Sequence, residues 1–161
     1  CSFATLIISP ISTVAIGLAI QLNGVSAGAA AMGVAATAVA LVVHSWKVNN
    51  SGVTLAIALG AMKLMMPNLF KYPVILIPCL STAILSAIPV ALFSVSGTPQ
   101  SAGFGIVGLV GPLASIDAGL NVALAAIVWF VVPIAAAIAS KILFENVLKL
   151  YDSSVVFKFQ E

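Results

Sequence analysis

The chain has 161 residues, 62% of them hydrophobic and only 6% charged, against about 45–50% apolar and roughly 25% charged in an ordinary soluble domain. Six basic and four acidic residues cannot cover a water-facing surface, so lipid is the solvent for most of the chain and a soluble globular protein is excluded. Every basic residue is lysine and the formal net charge is +2; no arginine-rich groove of the kind a phosphate backbone requires is present, which excludes nucleic acid as a partner.

The chain opens on Cys1 with no charged segment before its first apolar run, which reads as a processed or truncated start rather than an intact signal peptide. Phe3 to Leu22 is the first run of the length a spanning helix needs, about 20 mainly apolar residues. Val25 to Val43 follows, uncharged and small in side-chain volume, with Ala29, Gly33 and Thr37 recurring every four residues. Such spacing lets helix backbones approach closely in lipid, so this segment is expected inside the bundle. His44 to Gly52 is a polar loop in which Trp46 and Lys47 suit the headgroup interface. Val53 to Phe70 is the next expected span and carries Lys63, and Lys71, Tyr72 and Pro73 make a turn. Val74 to Phe93 is a span broken by Pro78 and Pro89, whose freed carbonyls need partners.

Ser94 to Gly103 is polar without formal charge and leads into Phe104 to Ile116, which holds Gly105, Gly108, Gly111 and Pro112. That stretch is too short to cross comfortably and reads as a re-entrant or broken helix, tolerated at membrane depth where it is buried or lines a cavity. After Asp117 to Asn121 the last span runs to about Ser140, and Lys141 to Tyr151 continues as an amphipathic helix on the membrane surface. The expected fold is therefore an all-α integral membrane protein: a polytopic helical bundle with about five spanning helices and one re-entrant or broken glycine-rich helix. Residues 1–151 form its transmembrane domain and residues 152–161 a cytoplasmic tail. With Phe104 to Ile116 re-entrant, Lys71 and the tail lysines oppose Lys47; with it spanning, Lys47 joins the tail. Both versions place the C-terminus in the cytoplasm by the positive-inside rule.

Lys63 is the most costly residue, since a charge at the centre of a membrane helix costs about 2.5–3.5 kcal/mol. It is either a substrate contact or counter-ion, paired with Asp117, or a lysine that snorkels to the Phe70 end. Thr98, Gln100 and Ser101 precede the glycine-rich half-helix, where exposed amide donors can hold polar ligand groups, or they form a solvated loop. Asp117 and Asn121 make a polar pair or simply cap the last span. His44 suits proton or phosphoryl exchange by its chemistry and an interfacial role by its position. No metal-ligand spacing, phosphate-binding loop, nucleophile elbow or carboxylate pair occurs, so no catalytic residue, metal or cofactor is expected.

The runs ISPISTVAIGLAI (Ile8 to Ile20), VSAGAAAMGVAATAV (Val25 to Val39), NSGVTLAIALGAMKLMMPN (Asn50 to Asn68) and above all GTPQSAGFGIVGLVGPL (Gly97 to Leu113) resemble one bacterial family. It comprises membrane proteins similar to the IIC component, or permease, of the phosphoenolpyruvate-dependent sugar phosphotransferase system, including the perfringolysin-regulator group. The resemblance implies a multi-pass protein of the bacterial cytoplasmic membrane that moves a sugar or similar small polar solute by alternating access, with a phosphorylated IIB protein as partner and a homo-oligomeric assembly. It implies a substrate site formed by Lys63, Asn68, Thr98, Gln100, Ser101, Asp117 and Asn121. The alternative is a membrane-embedded ligand sensor or regulator without net transport.

Overall fold

The computed structural model describes residues 10–159, and these are helical with irregular joints. The central element is α2 (Gly24–Ser45), 22 residues and hence about 33 Å long. Alanine, the best helix former, supplies its length, and its small side chains admit neighbours on several sides: Ala27, Ala31, Val34, Ala35, Ala38 and Leu41 are fully or almost fully buried. Ahead of it lies α1 (Pro10–Ala19); the rest of the expected first span, residues 3–9, lies outside the described residues.

The segment expected to span between residues 53 and 70 does not form one helix. It folds as α3 (Ser51–Ala58), a 3-10 turn (Met62–Met65) and α4 (Met66–Lys71). Two residues dictate the break. Gly60 takes φ +112°, a backbone open to glycine and strained for other residues, and Pro67 cannot accept a helix running on from Lys63, since its ring would meet the carbonyl four residues back. Asn50 starts α3 by accepting a hydrogen bond from Val53 N at 2.8 Å.

A 3-10 turn at Pro73–Ile75 opens α5 (Leu76–Leu92), which runs antiparallel to α2: its end meets the start of α2, where Gly97 N donates to Gly24 O at 3.0 Å. Then come α6 (Pro99–Phe104), a turn at Val107–Leu109 and α7 (Val110–Asp117). The last long helix, α8 (Val122–Val147), runs parallel to α2. It relaxes into π turns at Ile127–Val131 and Ile142–Val147, the first just ahead of Pro133, where the missing N–H would leave an ordinary α-turn unclosed. Among the described residues α2, the Pro73–Leu92 helix and α8 are long and apolar enough to cross a membrane; the expected count of about five is not reached by them.

Two apolar cores divide the bundle along α2. One joins Val34, Ala38 and Leu41 to Ile57, Met62, Met65 and Leu69 and to Tyr151, Val156 and Phe157. The other joins Ala31, Met32 and Ala35 to Val90, Val95, Val128 and Trp129. Residues 151–159 fold back onto the Ser45 end of α2, with a last turn, α9 (Ser153–Val156), among them.

Candidate functional site

Residues 51–71 and 99–117 are two hairpins that enter the bundle from opposite ends. The first leaves from the Ser45 end and returns there, because Asn68 in α4 bonds to the folded-back residues 156 and 158. The second leaves from the Gly24 end, where Gly97 is tied to Gly24. Its turn reaches halfway along α2: a Cβ built on Gly105, at φ +58°, would stand 2.8 Å from Ala31 O and 2.9 Å from Ala35 N. Only a glycine permits that approach at that backbone angle. The way back is set by Ser115, whose hydroxyl donates to Pro112 O at 2.7 Å and accepts from Trp129 Nε1 at 3.0 Å.

The two turns meet near the middle of α2. A Cβ on Gly60 would lie 3.0 Å from Val107 Cγ2, so the backbone of one hairpin rests on a side chain of the other. Beside this junction is a groove of about 290 Å³ whose walls include Ala38, Val42, Ala58, Ile106, Leu109 and Phe130. Leu109 there holds φ +60°, a left-handed conformation that costs a branched residue of order 1–2 kcal/mol. Broken backbone at this depth belongs where protein buries it or a polar path passes.

The structure spreads the residues expected at a substrate site along the bundle. Lys63 is exposed in the turn that follows Gly60. Thr98 and Ser101 bond reciprocally as a capping box at the start of α6, with Ser101 N donating to Thr98 Oγ1 at 3.2 Å and Thr98 N to Ser101 Oγ at 2.9 Å. Gln100, between them, is exposed. Asp117 is exposed at the end of α7, and Asn121 caps α8 by accepting from Ala123 N at 2.9 Å. Thr98, Gln100, Ser101, Asp117 and Asn121 thus share the Gly24 end, whereas Asn68 lies at the other, buried, with its amide donating to Val156 O and Lys158 O at 2.7 Å each.

Sequence reasoning did not anticipate the polar cluster at the Ser45 end. His44 is fully buried. Its Nδ1 lies 2.7 Å from Ala40 O and its Nε2 2.8 Å from the Tyr151 hydroxyl. The carbonyl can only accept, so Nδ1 carries the proton and the phenol donates to Nε2. Burial pushes the Tyr151 phenol up, with the Glu145 charge adding to the shift, and keeps it a donor. Phe157 stacks on the His44 ring at 4.4 Å. Glu145 accepts from Ser153 N at 3.1 Å and Ser153 Oγ at 2.7 Å, and lies 3.9 Å from Lys141 Nζ. The available signal was the pairing of a lone histidine at a helix end with an aromatic tail, which no local periodicity connects.

Five lysines gather at one end, together with Glu145 and Asp152. Lys47, Lys71, Lys141, Lys149 and Lys158 all belong to the Ser45 end, where Lys141 Nζ donates to Val43 O at 3.4 Å; the opposite end carries Asp117. No group of three or more histidines, cysteines or acids with metal-binding geometry occurs among the described residues. The family model described as "Phosphotransferase system, EIIC" matches residues 1–157. Neither a curated protein nor a solved structure matches the chain.

Proposed function

The chain belongs to the phosphotransferase-system EIIC family, which makes it a multi-pass membrane component of sugar transport, and from that premise we propose that it is a permease subunit whose solute path runs between the two hairpin turns. The observation that carries this reading is the meeting of Gly60 with Val107 midway along α2. Two interrupted elements entering from opposite faces give each face its own half of a path, the layout that alternating access requires. The Phe130 ring in the adjoining groove offers a face for a sugar ring, and Lys63 beside the turn a charge-assisted donor for hydroxyls. Thr98, Gln100, Ser101, Asp117 and Asn121 form the polar mouth at the Gly24 end. Asn68 lies outside this path in the observed conformation and reaches it only through movement of α4.

The gathering of lysines at the Ser45 end supports a cytoplasmic position for that end and for the C-terminus, where a phosphorylated IIB protein meets the sugar. Further copies of the chain cover the outer apolar faces, on which Leu55, Leu59 and Phe70 are exposed. Uptake of a panel of labelled sugars into vesicles holding the intact protein, with and without phosphorylated IIB, tests the reading. Accumulation should require IIB and fall on the order of tenfold in Phe130→Ala or Lys63→Gln, the loss of one good contact. Binding without flux would instead mark a sensor, and neither binding nor flux a structural subunit.

A further inference from the structure

The two hairpins are held in unlike ways. Residues 99–117 are seated on backbone: a Cβ on Gly105 would press on Ala31 O and Ala35 N of α2, and one on Gly103 would lie 2.5 Å from Val14 N of α1. Contacts this close allow one arrangement and resist sliding. Residues 51–71 rest on α2 through the side chains of Ile57, Met62, Met65 and Leu69, and methionine is unbranched and refits readily to a changed surface. Thr54 Oγ1 reaches Ser45 O at the end of α2 only at 3.5 Å; the shorter polar ties run to the C-terminal segment, through the two hydrogen bonds of Asn68 to Val156 O and Lys158 O at 2.7 Å each.

That segment is itself anchored on the long helices. Tyr151 and Phe157 grip His44 at the end of α2. Glu145 of α8 holds Ser153. Asn49, in the joint after α2, donates to Phe157 O at 2.7 Å and accepts from Phe159 N at 2.7 Å, matching one residue's carbonyl and another's amide as a neighbouring strand would. Residues 151–159 therefore connect the two fixed helices to the one hairpin that lacks a backbone seat.

We propose that residues 151–159 are a strap that holds the 51–71 hairpin against the tip of the other, and that release of Asn68 from Val156 and Lys158 lets Gly60 move away from Val107. This rests on the reading that solute passes between the tips. The 51–71 hairpin is then the moving gate and the 99–117 hairpin its fixed stop.

Hydrogen exchange on the intact protein in lipid nanodiscs tests the strap without any sugar. In Asn68→Ala, which removes both hydrogen bonds, the buried one to Val156 O and the part-buried one to Lys158 O, amides of residues 51–71 should exchange on the order of tenfold faster while those of 99–117 keep their protection. Tyr151→Phe removes one hydrogen bond and little volume; it should give a smaller rise, about fivefold, in the same residues, and serves if Asn68→Ala does not fold. Unchanged exchange at 51–71, or an equal rise in both hairpins, would overturn the proposal. Failure of the wild-type protein to take up any sugar would remove the transport reading, and the exchange result would still decide whether the strap exists.

Discussion

Asparagine 68 shows how one side chain serves two descriptions. Its place in the run GAMKLMMPN gives it a polar group on an apolar segment, which reads as a substrate contact; in the folded chain that group satisfies the backbone of residues nearly ninety positions away. Nothing local carries that partner. The glycines were more legible, because a glycine-rich run too short to cross has few uses besides close approach. They also give a sharp comparison. Gly105→Ala should destabilise the protein by about 3 kcal/mol or more, combining backbone strain with overpacking against α2. Gly108→Ala, where the added carbon meets nothing nearer than Val110 Cγ2 at 3.8 Å, should cost about 1 kcal/mol from its φ of +60° alone. Thermal unfolding of both variants in one detergent checks the order; equal losses would contradict the seat assigned to Gly105.

Elements were readable where length and hydropathy agree, and α2, α5 and α8 fall close to the expected spans, although α5 runs unbroken through Pro78 and Pro89, where a break was expected. The run between residues 53 and 70 shows the limit. Its composition satisfies a span, but Gly60 and Pro67 divide it, and whether such a pair kinks a helix or reverses it depends on what the two halves rest against. Here the tail completes the core beneath α4. The last turn, α9, gives a pH prediction. Hydrogen bonds from the Ser154 hydroxyl and N–H hold the Asp152 carboxyl below its usual range. A depressed folded-state value means that the stabilisation is complete above the ordinary carboxylate value, about 3.9, and is lost as pH falls through the depressed one. Protection of residues 151–159, corrected for intrinsic exchange, should therefore hold from neutral pH down and decline only in acid; Asp152→Asn should remove its share of that decline.

For the whole molecule, composition names the solvent but not the plan. Scarcity of charge becomes informative once the chain is folded: turning residues 51–71 back on themselves brings Lys47 and Lys71 to one end, together with Lys141, Lys149 and Lys158. A span at the same place would have put Lys47 and Lys71 on opposite faces. Cysteine accessibility decides between these plans. In a background free of other cysteines, with Cys1 and Cys79 replaced, Lys47→Cys and Lys71→Cys should react with an impermeant thiol reagent only from the cytoplasmic side, and Gln100→Cys and Asp117→Cys only from the outside. Reaction of positions 47 and 71 from opposite faces would contradict the opposed hairpins and the path drawn between them.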